Sequence, residues 1–364
     1  MLLRFIATKT HRRISFCEGP RTNGCRKWLS TTSKRSLRRS YLYVPASSDR
    51  MLRKSLETPS DIIIYDLEDS VSPTRTDKDA ARDRLLNFLS TTEKLPAPER
   101  IAVRLNSVNT EHFVEDIRCV MSIPAVATIV MPKVDHEDHL GHVEQEISRV
   151  IHSNPGFRTQ RPETLSVVAS IESAQALWRI GEISQWKSKT ARLSALLFAA
   201  EDYCADTRIA RTKSRQELLY TRSKIVATAR AFGLDAIHMV CVDYKNLDVL
   251  ADECADGRRL GFDGKQAIHP NQVDTIHTTF VPSPAEIMRA AQILKAMESA
   301  HSSHKGAVGL FVNGRDEMID APMLRQVRVF ARPPPEMIKA NSVAKIGPAN
   351  HSTRKASRTT HRAL

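Results

Sequence analysis

Cysteine is scarce in this chain, and the few residues present do not form a framework. Six occur in 364 residues; Cys119, Cys204, Cys241 and Cys254 have neither CxxC nor Cys/His metal spacing, and Cys17 and Cys25 fall in an atypical N-terminal stretch. That argues against a disulfide scaffold and points to buried free thiols in a reducing compartment. No apolar run approaches the roughly 18 residues of a membrane span. No GxGxxG follows any predicted strand, which removes the usual nucleotide site of an open doubly wound sheet. A net positive balance is also missing from most of the chain, although the formal net charge is +13. Met1–Ser40 holds 11 Lys+Arg against one acid and Ala331–Leu364 holds 7 against one, which leaves Tyr41–Phe330 at −3. Basicity confined to the ends is no argument for a nucleic-acid surface on the folded part.

The first 40 residues are rich in Arg, Ser and Thr, with a short apolar start at Leu2, Leu3, Phe5 and Ile6. This composition predicts a mitochondrial transit peptide, and the missing long apolar core argues against a secretory signal. Residues 331–364 are polar, basic and without periodicity after Pro333-Pro334-Pro335, which reads as a disordered tail.

Between the ends, short apolar runs alternate with amphipathic stretches. Predicted strands are Tyr41–Val44, Asp61–Tyr65, Ile101–Leu105, Ala127–Met131, Leu165–Glu172, the run Ala195–Ala200, Ala236–Val240 and Gly264–His269, each followed by a predicted helix. Eight strand–helix units imply an all-parallel sheet closed into an α/β TIM (β/α)8 barrel over residues 41–300. Pro284–Ala300 reads as an additional helix, and residues 301–330 as a C-terminal helical extension in which two Gly breaks precede another helix opened by Met318-Ile319-Asp320-Ala321-Pro322.

Active sites in such barrels lie at the carboxyl ends of the strands. The side chains expected there are Asp66, Glu68 and Asp69 after strand 2, Arg104 and Asn106 after strand 3, Lys133 after strand 4, Glu172 after strand 5, Glu201 and Asp202 after strand 6, and His269 and Gln272 after strand 8. Glu172 and Asp202 stand one strand–helix unit apart, about 30 residues, and so become neighbours on one rim. Two converging hard oxygen ligands suggest Mg²⁺, which takes one or two protein carboxylates and leaves the rest to water and substrate. Arg104 ends an apolar strand and needs an anionic partner inside. A divalent ion beside an arginine suits an anionic substrate with a carbonyl or hydroxyl next to its carboxylate. Structural readings stand beside these: Lys133 as a neutraliser of carboxylates, Asp69 as a turn former, and His269 before Pro270 as a helix cap.

Tyr43-Val44-Pro45, Asp66-Leu67-Glu68-Asp69, Arg104-x-Asn106, Met131-Pro132-Lys133, Ile171-Glu172-Ser173, Glu201-Asp202-Tyr203 and the long motif Gly261–Gln272 occur in the order seen in the citrate lyase beta-subunit-like branch of the HpcH/HpaI aldolase family, which the chain resembles from about Tyr41 to about Arg328. The resemblance implies a TIM barrel, assembled as a homotrimer, that binds Mg²⁺ through Glu172 and Asp202 and a CoA thioester as substrate. It implies carbon–carbon lyase chemistry, with citramalyl-CoA cleaved to pyruvate and acetyl-CoA and malyl-CoA lyase or a malate-synthase-like condensation as the alternative. Arg104, Glu68 and Asp320 take catalytic roles in this reading, Asp320 by reaching a neighbouring subunit's site, and Tyr43, Asp66, Arg104, Lys133 and Ala200 contact substrate. Ala46, Ala199 and Ala200 stand where relatives carry glycine. They motivate a reading of another class, a barrel without turnover that serves as a binding or assembly subunit.

Overall fold

A computed structural model describes residues 37–156, 164–312 and 315–330. Nearly all of the basic N-terminal stretch and all of the basic C-terminal tail lie outside those residues. Eight parallel strands close into a barrel in sequence order: β1 (Ser40–Pro45), β2 (Ile62–Asp66), β3 (Ile101–Arg104), β4 (Thr128–Met131), β5 (Leu165–Ile171), β6 (Ala191–Phe198), β7 (Asp235–His238) and β8 (Gly264–Ala267). This is the expected (β/α)8 architecture. Every residue of β2 is buried, as the unbroken Ile-Ile-Ile-Tyr-Asp run requires of a strand covered on both faces.

Alternation divides these runs between two cores. Tyr41, Ile62, Ile64, Ala102, Val130, Val168, Ala195, Leu197 and Ile237 fill the barrel interior. The other face of each strand, including Leu42, Ile63, Tyr65, Val103, Ile129 and Met131, packs under the surrounding helices. Local signals set where those helices begin and end. Thr74 caps Arg75–Thr91 by accepting from the Asp77 N–H at 3.2 Å, and Asn246 caps Leu247–Leu260 by accepting from Val249 at 3.2 Å. Leu219–Phe232 and Leu247–Leu260 stop at Gly233 and Gly261, with φ of 69° and 100°. Gly264 answers a different need, since a Cβ there would lie 2.4 Å from the Arg38 carbonyl oxygen where the chain entering β1 crosses β8.

Two local expectations are corrected. The strand expected at Ala195–Ala200 runs Ala191–Phe198, and Ala200 already opens the helix Ala200–Thr207. Glu201 and Asp202 therefore stand on a first helical turn rather than on the strand end, because alanine continues readily into helix once β6 has spent its last pairing with β5. The extension is also not purely helical. Val308–Val312 (β9) and Arg315–Ile319 (β10) pair antiparallel, Val308 opposite Ile319. Asn313-Gly314, between the two strands in the sequence, is the strongest short-range hairpin signal and outweighs a reading of isolated glycine breaks. The hairpin packs with the helices Pro284–Ser302 and Ala321–Phe330 around Ala290, Ile293, Met297, Ile319 and Leu324, a small core separate from those of the barrel. Arg258 joins this unit to the barrel's last long helix through both oxygens of Glu286, at 3.0 Å each.

Candidate active site

A cavity of about 350 Å³ opens at the carboxyl ends of the strands, walled by Tyr43, Asp66, Arg104, Ser170, Glu172, Ala199, Ala200, Glu201, Asp202, Val240, Gln266 and Ile268, among others. Its fixed feature is the Arg104–Asp66 pair. These residues are register partners on adjacent strands, so the pairing follows from the barrel itself. Arg104 donates from Nε and Nη2 to the two oxygens of Asp66, both at 2.7 Å, and from Nη1 to Glu68 at 2.9 Å. The backbone N–H groups of Glu68 (2.9 Å) and Ser70 (3.2 Å) complete Asp66. Burial alone would raise the Asp66 carboxyl, but the guanidinium and these donors hold it below the usual carboxylate range. A planar fork so held is rigid, and its face lies over the Tyr43 ring, 4.9 Å from the centroid.

Glu172 forms the buried acidic part of the wall, 6% exposed, and Asp202 stands exposed on the rim. Burial, then the charges of Glu68 and Asp202, push the Glu172 carboxyl up to about 8, with Arg104 only partly offsetting them. A buried carboxylate that has Asp202 nearby and, among the described residues, no ion pair of its own suits a hard divalent ion, which would reverse that repulsion. Glu172 and Asp202 are the residues that could hold it.

Several expected residues stand beside the cavity rather than on its wall. Glu68 is buried between Arg104 and Lys133, whose Nζ donates to it at 3.0 Å, and burial raises its carboxyl despite both cations. Lys133 is half exposed and adopts φ 52°, a left-handed conformation that costs a non-glycine residue roughly 1–2 kcal/mol. Asn106 binds Asp116 and the Leu67 carbonyl. His269 caps Pro270–Gln272 and Gln272 completes the capping box, so the structural reading of His269 prevails. Asp320 caps the helix Ala321–Phe330 by accepting from the Met323 N–H at 3.2 Å and is not on this wall. Of the three alanines, Ala199 and Ala200 line the cavity, whereas Ala46 is buried in the outer core.

Some supporting residues were not singled out from the sequence. Gln266 accepts from the Tyr43 hydroxyl at 3.0 Å and donates to the Phe198 and His238 carbonyls at 2.9 and 3.1 Å, tying β1, β6, β7 and β8 together under the cavity. Lys78 donates to the Leu67 and Glu68 carbonyls, both at 2.7 Å, and Arg82 reaches Asp116 at 2.7 Å. Lys78 and Arg82 fall at the helical spacing of Ala81, Leu85 and Leu89 on the buried face of Arg75–Thr91, and cations on an apolar stripe were the available signal.

The sequence profile of the HpcH/HpaI aldolase/citrate lyase family matches residues 39–270, which span all eight strands and every wall residue of the cavity. The chain belongs to that family. Mitochondrial citramalyl-CoA lyase of Mus musculus is 30% identical over 302 residues, 80% of this chain and 84% of that protein. Citrate lyase subunit beta of Escherichia coli K12 is 32% identical over 296 residues, 81% and 93% of the two chains. Among solved structures, CitE from Mycobacterium tuberculosis in complex with magnesium, acetoacetate and coenzyme A matches with a TM-score of 0.64 at 25% identity, covering 82% of this chain and 98% of that one. Membership places the chain among carbon–carbon lyases of the citrate lyase type, on the barrel their solved structures share.

Proposed function

We propose that this protein is a Mg²⁺-dependent lyase of 3-hydroxyacyl-CoA thioesters that cleaves citramalyl-CoA to pyruvate and acetyl-CoA. The observation that carries the reading is that a locked Arg104 and the acids Glu172 and Asp202 line one cavity. The relatives support it: the mouse protein is a citramalyl-CoA lyase, and the M. tuberculosis protein was solved with magnesium and coenzyme A and, in another crystal, with magnesium and pyruvate.

Bound by Glu172 and Asp202, Mg²⁺ would act as a Lewis acid toward the hydroxyl and carboxylate oxygens of the substrate. Arg104, with Tyr43 beneath it, orients the substrate carboxylate and balances charge at the reacting oxygens. The hydroxyl loses its proton to a carboxylate, the adjacent carbon–carbon bond breaks, and the oxygen becomes the carbonyl of pyruvate. The electron pair passes to the thioester enolate, which takes a proton at carbon to give acetyl-CoA. In this reading Asp320 of a second copy moves the proton, Glu68 acts through Arg104 and Lys133, and Ala200 and Asp66 shape the substrate's side of the cavity. The assembly is a homotrimer, and residues 1–40 direct it to the mitochondrial matrix.

The deciding experiment is pyruvate release, coupled to lactate dehydrogenase, from citramalyl-CoA with Mg²⁺ and with EDTA, beside glyoxylate release from malyl-CoA. Absence of pyruvate with Mg²⁺ present would sink the proposal, and glyoxylate alone would move the substrate to malyl-CoA. Because Ala199 and Ala200 line the cavity, a second reading is a barrel that binds the cation without turnover. Cation binding with no product from either thioester would favour it.

A further inference from the structure

Glu201, beside Asp202 on the same helical turn, also lines the cavity, so a third carboxylate stands close to a cation site of two. The structure shows where its charge goes. Arg211, in the connection after Ala200–Thr207, donates from Nη1 to Glu201 and from Nη2 to the Val240 carbonyl at 3.0 Å and to Glu253 at 2.7 Å. Val240 is itself on the cavity wall. The other oxygen of Glu253 accepts from Lys265 at 2.8 Å, and Lys265, fully buried, also donates to the Met239 carbonyl at 2.8 Å. Charges of alternating sign thus run from the cavity mouth to the layer between barrel and helices. The Arg211 side chain is 13% exposed and that of Glu253 7%, so the Arg211–Glu253 pair is shielded from solvent and anchors the guanidinium, while Glu201 at the cavity mouth is half exposed.

We propose that Arg211 is a positioning residue for the cation site: it holds Glu201 turned away from Glu172 and Asp202, so the ion keeps two protein carboxylates and leaves positions open to substrate oxygens. The inference rests on the assignment of the cation to Glu172 and Asp202. Mg²⁺ demands near-octahedral geometry and works with one or two carboxylates plus substrate and water. A third carboxylate would tighten the ion while filling a position the substrate needs. The planar guanidinium reaches these three acceptors from two separate nitrogens held in a fixed fork, a geometry that a single lysine nitrogen does not reproduce.

The test is Mn²⁺ titration by electron paramagnetic resonance on the full-length protein, with kcat for the thioester measured alongside, in wild type, Arg211→Gln, Glu201→Gln and the double variant. Arg211→Gln is expected to bind Mn²⁺ about tenfold tighter while kcat falls about 10–100-fold. Adding Glu201→Gln returns the affinity to that of the Glu201→Gln single variant and recovers most of the lost kcat. A merely structural role for Arg211 predicts weaker Mn²⁺ binding and no recovery, and either result overturns the proposal. Should Arg211→Gln fail to fold, Glu201→Gln alone leaves the buried ions in place and is expected to keep its Mn²⁺ affinity within about twofold, whereas a tenfold loss would make Glu201 a ligand and overturn the idea. Wild type that binds no Mn²⁺ overturns the cation assignment together with this inference; unchanged affinity in Arg211→Gln overturns the role of Arg211 alone.

Discussion

Replacing Glu172 by glutamine isolates the charge on which the cation reading depends. Burial and the neighbouring Glu68 and Asp202 raise this carboxyl from the ordinary 4.5 to about 8. At about 1.4 kcal/mol per pH unit, the ionised group costs the metal-free fold on the order of 5 kcal/mol at high pH. The direction follows from proton counting. Below about pH 4.5 Glu172 is protonated in folded and unfolded chains alike, and no penalty is present. Between that value and about 8 the folded chain binds more protons than the unfolded one, so stability falls as pH rises and levels off above 8. Metal-free wild type is therefore expected to lose on the order of 10 °C in Tm between pH 5 and pH 8.5 relative to Glu172→Gln, taking about 2 °C per kcal/mol for a chain of this size. Saturating Mg²⁺ should remove most of that difference in the wild type, because the ion favours the ionised form, and should do little for the variant. Differential scanning fluorimetry across pH with Mg²⁺ or EDTA measures all four curves. If the metal-free wild type and Glu172→Gln run parallel from pH 5 to 8.5, Glu172 is not held in the repulsive pocket described here.

Three further outcomes are expected. Asp66→Asn removes the anion that fixes Arg104 and should destabilise the fold by about 3–5 kcal/mol, with a rise in KM larger than the fall in kcat; urea titration and steady-state kinetics check both. Gly257→Ala should cost about 1–3 kcal/mol in thermal unfolding, since its Cβ would lie 2.7 Å from Nδ1 of the fully buried His238; a variant as stable as wild type would show that the ring has room to move. Mixing Asp202→Ala with Asp320→Ala after partial dissociation should recover part of the lyase activity neither variant has alone, if each site draws Asp320 from a second copy; no recovery in verified mixed oligomers would end that reading.

Much of the barrel was legible because its signals are local. A β-branched run such as Ile62–Tyr65 closed by acids, or a helix stopped at Gly233, is decided within a few residues, and eight such units leave few alternatives to closure. The hairpin of the extension was misread although its Asn-Gly signal was present, because two glycines were weighed as breaks and the alternation of Val308 and Leu310 was not. Of the site residues, Arg104, Asp66, Glu172 and Asp202 were visible as charges at apolar strand ends, and the cavity brings them together. Lys78, Gln266 and Arg211 were not singled out. Their partners are carbonyls, carboxylates and one hydroxyl 10 to 223 residues away, and no local pattern names such a partner.

By itself, then, the sequence determined the strand–helix period, which charges follow each strand, and hence which could meet at one rim, since these follow from backbone preference and alternation along the chain. Only the tertiary structure decided what each charge does there. Arg104 is spoken for by Asp66, Glu68 stands behind the wall with Lys133, Glu201 pairs with Arg211, and Glu172 is buried with no ion pair of its own among the described residues. The physical reason is that desolvation and ion pairing depend on distance and burial in three dimensions, quantities that a one-dimensional pattern does not contain.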